Sequence, residues 1–352
     1  MSTISGVNIR SIETLPTPIE LTKSFPADEK IINTISQSRE VIKNILQKKD
    51  QRFLIICGPC SIHDEKGARE YAEKLVTLRE RHQSRLEIIM RVYFEKPRTT
   101  VGWKGLITDP GIDGQDDVQE GLRRARKILH YITSLGLPTA TEFLDPIVPQ
   151  YISDLVSWAA IGARTTESQT HRQMASGLSM PVGYKNSTDG NVQIALDAMQ
   201  SARSQHSFLG IDENGRTSVV RTKGNPWGHI ILRGGNNMTN YEPEHIQATE
   251  ERLKKAGIEP AIVVDCSHAN SEKKFERQEN VFRSILEQRS SGNRNLIGVM
   301  LESNLNEGNQ KLPEILNASV AASLKYGVSI TDACVNFQTT ENLLNFAFEK
   351  MA

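Results

Sequence analysis

Residues 53–60 read FLIICGPC, a short apolar run that stops at Gly58 and Pro59. A run of this length, bounded by Gly and Pro, is typical of a strand covered on both faces and is too short for a helix. Seven more runs of the same kind follow, at residues 88–92, 139–143, 159–163, 181–184, 229–232, 261–264 and 296–301. Continuously apolar strands are characteristic of parallel sheets, because helices cover both faces of such a sheet.

Longer amphipathic stretches separate these runs. Apolar residues recur with helical spacing from Val118 to Ile132, and Gly136 follows as a stop signal. Pro243 and Gly257 bracket another helix in the same way. Eight strands alternating with helices predict an α/β protein, a closed (β/α)8 TIM barrel. The main alternative is an open doubly wound sheet, but no G-x-G-x-x-G motif follows the first strand.

Two segments fall outside the eightfold repeat. Residues 1–50 precede the first strand and include a predicted helix over 31–46. Apolar runs at 207–211 and 217–220 flank Asn214 and Gly215, a pair that favours a β-hairpin over about 206–222. We therefore expect an N-terminal extension, 1–50, with a role in assembly or regulation, and a catalytic barrel over 51–352 into which the hairpin is inserted.

The composition excludes several classes of function. Lys and Arg total 42, as do Asp and Glu, so the chain lacks the basic charge of a nucleic-acid-binding protein. No apolar run approaches the roughly 18 residues of a membrane span, and the first residues contain no signal-peptide core. Four cysteines are too few to stabilise 352 residues as disulfides and indicate reduced thiols. We expect a cytoplasmic protein with neither nucleic acid nor membrane as partner.

In a TIM barrel the active site lies at the carboxyl ends of the strands. A charged or metal-binding side chain stands at or just after each predicted end: Cys60, Arg91, Glu142, Arg164, Lys185, Arg233, Asp265 with His268, and Glu302. An exposed loop charge is the simplest explanation of any one of them. Their presence at all eight ends favours a common site.

The cations in this set exceed what one phosphate requires. Arg91, Arg164, Lys185 and Arg233 follow four strands, and the loop RVYFEKPRTT, residues 91–100, adds Lys96 and Arg98. Arginine binds phosphate or carboxylate through two parallel hydrogen bonds, and lysine acts as a mobile point charge. Two anionic substrates, or one that carries a carboxylate as well as a phosphate, fit such a cluster.

The remaining side chains form a candidate metal site. Cys60, His268 and Glu302, with Asp332 farther along the chain, offer sulfur, nitrogen and oxygen. Mixed donors suit Mn²⁺, Fe²⁺, Co²⁺ or Zn²⁺ better than Mg²⁺ or Ca²⁺. Two alternatives exist for Cys60: a small buried apolar residue, or a redox pair with Cys57, although such pairs normally begin a helix.

Several long strings resemble one enzyme family. These are GPCSIHD (58–64), RVYFEKPRTTVGWK (91–104), GARTTES (162–168), ILRGG (231–235), DCSH (265–268), and ES (302–303) with EGNQ (307–310). They resemble the type I 3-deoxy-D-arabino-heptulosonate 7-phosphate (DAHP) synthases, in the microbial feedback-regulated subgroup, over about residues 10–340. The resemblance implies condensation of phosphoenolpyruvate with D-erythrose 4-phosphate and water to DAHP and phosphate. This is the first step of the shikimate pathway, and it requires a divalent metal.

The resemblance also assigns roles by motif. It implies metal ligation by Cys60, His268, Glu302 and Asp332, and phosphoenolpyruvate binding by Arg91, Lys96, Arg164, Lys185 and Arg233. Erythrose 4-phosphate would contact Pro97, Arg98, Thr99 and Asp265. Lys96 and Glu142 would carry protons, so that the catalytic set is Lys96, Glu142, Cys60 and His268. The family precedent implies a homodimer or homotetramer. Ser187 departs from the glycine usual in the family.

Feedback inhibition by an aromatic amino acid is a further implication. The corresponding pocket would consist of Pro149, Gln150, Gly177, Leu178, Ser179, Phe208, Gly210 and Val220. In the family, glycine at the position of Gly210 accompanies tyrosine sensing and serine accompanies phenylalanine sensing. We therefore expect tyrosine as the inhibitor, with phenylalanine as the alternative.

Three other functions are compatible with parts of this pattern. A sister synthase that uses arabinose 5-phosphate shares the barrel, but the KPRTT loop, the extension and the hairpin argue against it. A metal-dependent class II aldolase would not need a second anion-binding cluster. A non-catalytic sensor of aromatic amino acids would not need the complete set of ligands and cations.

Overall fold

A computed structural model describes residues 4–100, 102–236 and 238–351. It contains ten strands: β1 (Phe53–Gly58), β2 (Leu86–Arg91), β3 (Thr139–Glu142), β4 (Trp158–Ile161), β5 (Val182–Lys185), β6 (Ser207–Ile211), β7 (Thr217–Arg221), β8 (Gly228–Leu232), β9 (Ile262–Asp265) and β10 (Leu296–Glu302). All but β6 and β7 are parallel and form a closed barrel, because β1 pairs with both β2 and β10. The TIM-barrel prediction is therefore confirmed, and the open doubly wound sheet is excluded.

Each of the eight predicted runs overlaps one barrel strand and differs from it only at the ends. The side chains of these strands are almost entirely buried, as expected for strands enclosed by helices on the outside and by packed side chains within. The described α-helices are α1 (Pro18–Ser24), α2 (Glu29–Leu46), α3 (Glu65–His82), α4 (Val118–Ser134), α5 (Pro149–Ile152), α6 (Gln169–Gly177), α7 (Val192–Arg203), α8 (Pro243–Lys255), α9 (Gln278–Ser290), α10 (Val320–Ser323) and α11 (Phe337–Lys350).

Local sequence explains where the predicted helices begin and end. Asp117 caps α4, because its side chain accepts a hydrogen bond from the backbone N–H of Glu120. Pro243 occupies the first turn of α8, and Gly257 follows the helix with φ of +71°. Within the described ranges, no helix combines the length and the apolar character needed to cross a membrane.

Helix α2 closes the amino-terminal end of the barrel, which we call the floor. Its residues Ile42 and Ile45 are buried in one cluster with inward-facing strand residues such as Leu54, Ile56 and Trp158. Arg39, on the same helix, donates hydrogen bonds to the carbonyls that precede β4. Part of the N-terminal extension is therefore built into the barrel core.

Strands β6 and β7 form an antiparallel hairpin between α7 and β8, with Phe208 opposite Val220 and Gly210 opposite Ser218. The turn contains Gly215 at φ of +74°, a backbone conformation that favours glycine. The turn also contacts the N-terminal extension, because the backbone N–H of Ile19 donates to the carbonyl of Glu213 at 2.9 Å. The two segments outside the eightfold repeat therefore meet on one side of the molecule.

Candidate active site

The carboxyl ends of the strands open into a cleft, which we call the mouth. It is lined by Arg91, Lys96, Pro97, Arg98, Glu142, Gly162, Ala163, Arg164, Lys185, Thr188, Arg233, His268, Thr331 and Asp332. An adjoining cleft shares several of these residues and extends to Glu302. With the exception of Asp265, the predicted strand-end residues from Arg91 to Glu302 therefore line these two adjoining clefts, although 211 positions separate the first from the last.

Three of the four predicted metal ligands form a compact group. One ligand atom each from Cys60, Glu302 and Asp332 lie within 4.8 Å of one another. Burial is the largest of the influences that raise the pKa of the Cys60 thiol, to about 11. A buried thiol beside one buried and one exposed carboxylate, with an imidazole nearby, is a donor set that suits a transition metal.

His268 approaches this group from its open side. Its Nε2 lies 3.9 Å from Asp332 Oδ2, but it does not belong to the compact group of three. Its Nδ1 is 3.0 Å from Asp265 Oδ2 and 2.7 Å from Ser267 Oγ, which fixes the plane of the ring. The second nitrogen of a metal-binding histidine is usually held by a neighbouring group in this manner.

Asp265 connects His268 to the cation cluster. Its Oδ2 also accepts a hydrogen bond from Lys185 Nζ at 2.8 Å, and its Oδ1 accepts from the Ser267 backbone and hydroxyl. Burial disfavours the charged carboxylate, but Lys185 and His268 outweigh this effect and hold the pKa of Asp265 well below its usual range. Since Asp265 is fully buried and both its oxygens are engaged, it orients Lys185 and His268.

Two arginines of the mouth have unused donors. Arg91 is held by the carbonyl of Pro59 at 3.1 Å and by Glu302 Oε1 at 3.0 Å, yet its Nη1 is buried without a partner among the described residues. Arg233 has a buried Nε in the same condition. Burial lowers the pKa of Arg233, and the charge of Asp265 partly offsets this effect. Buried donors without partners are costly, and a bound anion would satisfy them.

Lys96 and Glu142, the two residues expected to carry protons, both line the mouth. Lys96 Nζ donates to Cys60 at 3.1 Å from the carbonyl oxygen and 3.2 Å from Sγ, so it lies against the candidate metal group. Glu142 Oε1 is buried, and no described residue hydrogen-bonds to it. A Cβ at Gly162 would lie 2.1 Å from this oxygen, so glycine leaves the space in which the carboxylate sits. The sequence pattern did not identify Gly162.

Three of the four residues expected to bind the sugar phosphate lie at the rim, whereas Asp265 is fully buried beneath Lys185 and His268. Pro97 and Arg98 line the cleft, and the exposed Thr99 follows them on the same loop. Arg98 Nε donates to the carbonyl of Trp103 at 2.8 Å, and the Lys96 N–H donates to the carbonyl of Lys104 at 2.8 Å. These bonds close the loop upon itself, but they leave the outer part of the Arg98 guanidinium available.

The residues of the expected inhibitor pocket lie on three elements. Phe208, Gly210 and Val220 share the half-buried face of the hairpin. The end of α6, which includes Gly177, packs against the base of the hairpin, where Ser176 Oγ lies 2.7 Å from Thr222 Oγ1. Leu178 and Ser179 follow directly, whereas Pro149 and Gln150 belong to α5, which packs against α1.

The fold and the mouth define a TIM-barrel enzyme with an anion-binding cleft beside a candidate metal centre. Residues 25–345 match the family model described as DAHP synthetase I family. The chain is 50% identical over 341 residues to the Tyr-sensitive phospho-2-dehydro-3-deoxyheptonate aldolase of Salmonella typhimurium, covering 97% of this chain and 94% of that protein. It is equally identical over 338 residues to the Phe-sensitive enzyme of Escherichia coli, covering 96% and 95%.

The solved structures agree with this result. The phospho-2-dehydro-3-deoxyheptonate aldolase of Francisella tularensis superposes with a TM-score of 0.93 at 45% identity, covering 98% of both chains. The chain therefore belongs to the DAHP synthetase I family and has the DAHP synthase activity of aromatic amino acid biosynthesis. The family expected from the motifs is confirmed. Because Tyr-, Phe- and Trp-sensitive enzymes all match at about 50% identity, overall similarity does not identify the inhibitor.

Proposed function

We propose that the mouth binds phosphoenolpyruvate and D-erythrose 4-phosphate side by side and joins them next to a divalent metal ion. The observation that carries this proposal is the position of the unused donors of Arg91 and Arg233 next to the group of Cys60, Glu302 and Asp332. A metal centre alone would not require these donors.

Cys60, His268, Glu302 and Asp332 would hold the ion, and their donor atoms suit Mn²⁺, Fe²⁺, Co²⁺ or Zn²⁺. When bound, the ion supplies a Lewis acid that polarises the aldehyde of the sugar phosphate. His268 would complete the set, since its Nε2 lies 3.9 Å from Asp332 Oδ2, beside the compact group of three. Asp265 keeps the imidazole in place for this purpose.

Phosphoenolpyruvate would be bound by the cations of the mouth: Arg91, Lys96, Arg164, Lys185 and Arg233. C3 of the enol phosphate then forms a bond to the aldehyde carbon of erythrose 4-phosphate. Water adds to C2, and cleavage of the bond between C2 and the phosphate oxygen releases inorganic phosphate. The converging cations balance the charges of both substrates and hold the reacting carbons close together.

Two side chains would move the protons of this reaction. Lys96 Nζ, held at the candidate metal group, donates a proton to the new alkoxide oxygen. Glu142 Oε1, which is buried and unpartnered, accepts a proton from the water that adds to C2. The sugar phosphate would be positioned by Pro97, Arg98 and Thr99 at the rim, and by Asp265 acting through Lys185 and His268.

We further propose tyrosine as the feedback inhibitor, bound at the half-buried face of the hairpin. A Cβ at Gly210 would lie 2.9 Å from Val220 Cγ2 and 3.8 Å from Phe208 Cε2. A serine here would therefore push into the pocket or displace Val220, whereas glycine leaves space for a phenolic hydroxyl. Gly210→Ser is expected to weaken inhibition by tyrosine relative to phenylalanine, in an assay that compares both amino acids.

Assembly into a homodimer or homotetramer would use the N-terminal extension and the hairpin. Val7 and Ile12 in the extension are 69% and 86% exposed, and Leu209 and Val219 on the outer face of the hairpin are 78% and 59% exposed. A second copy of the chain would cover these exposed apolar residues. Leu209→Glu is expected to shift the sedimentation coefficient toward the monomer.

The decisive experiment measures phosphate release from phosphoenolpyruvate by metal-stripped protein, with and without added Mn²⁺. Erythrose 4-phosphate and arabinose 5-phosphate are compared as the second substrate, each with and without tyrosine or phenylalanine. Turnover only with Mn²⁺ and the four-carbon sugar, decreased by tyrosine, is the expected result. Turnover with the five-carbon sugar, or without any metal, would contradict the proposal.

A further inference from the structure

Tyr93 lies directly beneath the cations of the mouth. It follows Arg91 by two residues, and this spacing places the two side chains on the same side of the extended chain, facing the barrel interior. Tyr93 is fully buried in the cluster that includes Ile89, Trp158 and Ile231. Its ring therefore lies on the packed interior of the barrel and under the substrate cleft.

Two cations share this ring. The guanidinium carbon of Arg91 lies 3.6 Å from the ring centroid, and Lys96 Nζ lies 5.8 Å from it. Arg91 is buried and Lys96 is half-buried nearby, so their repulsion opposes the arrangement that anion binding requires. The negative face of an aromatic ring attracts both and offsets part of this repulsion.

The hydrogen bonds of Arg91 hold only one edge of its guanidinium. They hold Nε and Nη2, through Pro59, Cys60 and Glu302. Nη1, the nitrogen left for a ligand, has no partner among the described residues. Stacking on the ring of Tyr93 restrains the guanidinium plane and hence the direction in which Nη1 points.

We infer that Tyr93 is a positioning residue whose ring sets the plane of Arg91 and the place of Lys96, and thereby the affinity for phosphoenolpyruvate. This inference rests on the proposed binding of phosphoenolpyruvate by these two cations. The ring carries the effect, and the hydroxyl, which has no described hydrogen-bond partner, does not.

The test compares Tyr93→Phe, which keeps the ring, with Tyr93→Leu, which removes it. Tyr184→Leu is the matched control. Tyr184 is also a buried barrel tyrosine with an unpartnered hydroxyl, but no cation lies over its ring in the described part of the chain, and it packs in the outer core. Binding of phosphoenolpyruvate is measured by calorimetry on the Mn²⁺-loaded protein, together with KM, kcat and the thermal midpoint.

Tyr93→Leu is expected to raise Kd and KM for phosphoenolpyruvate on the order of tenfold, the loss of one buried cation–π contact, with a smaller effect on KM for the sugar. Tyr93→Phe, which keeps the ring, should have a Kd and a KM for phosphoenolpyruvate within about threefold of the wild-type values. Tyr184→Leu should lower the thermal midpoint but leave Kd unchanged. If Tyr93→Leu does not fold, Tyr93→Met provides a flexible apolar side chain without a ring.

Other outcomes separate this inference from the proposed function. Wild-type protein that binds no phosphoenolpyruvate would contradict the proposed function. Normal wild-type binding with an unchanged Kd in Tyr93→Leu would overturn only the role of the ring. If Tyr93→Phe is as defective as Tyr93→Leu, the hydroxyl is responsible and the inference is wrong.

Discussion

Arg39 at the floor and Arg233 at the mouth are both largely withdrawn from water, but their guanidinium groups differ in what they bond to. Arg39 donates from Nε and Nη2 to the carbonyls of Ser153 and Val156 at 2.7–3.0 Å, and burial lowers its pKa to about 10. Arg233 has no hydrogen bond from its guanidinium to any described residue, and its Nε is buried. Arg39 uses its guanidinium to hold α2 on the barrel, whereas Arg233 keeps its guanidinium donors for a ligand.

The acids follow the same division. Glu87 at the floor accepts a hydrogen bond from Ser38 Oγ at 2.7 Å and lies 3.5 Å from Arg52. Glu142 at the mouth has a buried oxygen with no described partner. A buried polar atom without a partner lowers stability. Its persistence at the mouth is explained if the water that adds to C2 donates to this oxygen.

The largest expected effect separates activity from stability at the mouth. Arg233→Met keeps the apolar stem but removes the charge, and should lower kcat/KM for phosphoenolpyruvate by on the order of 100- to 1000-fold. The thermal midpoint should not fall, because no protein hydrogen bond is lost. Steady-state kinetics and thermal unfolding of the same preparation test this, and a large drop in thermal midpoint would mean that Arg233 is structural.

The reverse result is expected at the floor. Arg39→Met removes the hydrogen bonds to Ser153 and Val156 that tie α2 to the barrel, and should lower the free energy of unfolding by about 2–3 kcal/mol. kcat/KM per folded molecule should stay at the wild-type value, because α2 covers the opposite end from the mouth. Urea unfolding measures the free energy of unfolding. A large loss of kcat/KM per folded molecule would mean that Arg39 at the floor also contributes to activity, contrary to the division between the two ends.

The residues of the mouth can be predicted from the sequence better than those of the floor. Each apolar run ends at a residue that the closed barrel brings to one edge, so period and position alone indicate Arg91, Glu142, Lys185 and Arg233. The order of these residues in the chain does not show which atoms remain unpaired. That depends on partners far away in sequence, such as Glu302 for Arg91, 211 residues apart.

Other features had weak or no signals in the sequence. The helix over 31–46 is predicted from the spacing of its apolar residues, but its packing into the floor depends on tertiary contacts of Ile42 and Ile45. Gly162 and Tyr93 carry no charge, so the pattern of charged strand ends does not indicate them. The two-residue spacing nevertheless places the Tyr93 side chain on the same side of the extended chain as that of Arg91. The hairpin was predicted from Asn214 and Gly215, and its turn lies where expected.

A smaller effect is expected from His229, a buried imidazole away from the mouth. Its Nε2 accepts a hydrogen bond from Trp158 Nε1 at 3.0 Å, its Nδ1 has no described partner, and burial lowers its pKa to about 4. Above about pH 6.5 the ring is neutral in both folded and unfolded chains. Between pH 6.5 and 4 only the unfolded chain takes up the proton, so stability falls as the pH falls.

From pH 6.5 to 5, His229 should contribute a loss of about 2 kcal/mol to the free energy of unfolding. His229→Gln retains an acceptor for Trp158 but does not titrate, so its unfolding free energy should decline less steeply with acid than that of the wild type. Urea titrations of both proteins at several pH values measure the difference. Parallel curves would show that His229 is protonated in the folded state, or that its Nδ1 has a partner.

The smallest expected effect compares one buried hydroxyl at each end of the barrel. Ser38→Ala removes the hydrogen bond to Glu87 and should lower the free energy of unfolding by about 1–2 kcal/mol. Tyr93→Phe removes a hydroxyl that has no described partner, and the change should stay within about 0.5 kcal/mol of zero. Urea unfolding of the two variants, without substrate or inhibitor, gives both values. A loss in Tyr93→Phe as large as that in Ser38→Ala would mean that the hydroxyl is satisfied in solution, for instance by an ordered water, and that the lack of a described partner does not leave this buried atom unsatisfied.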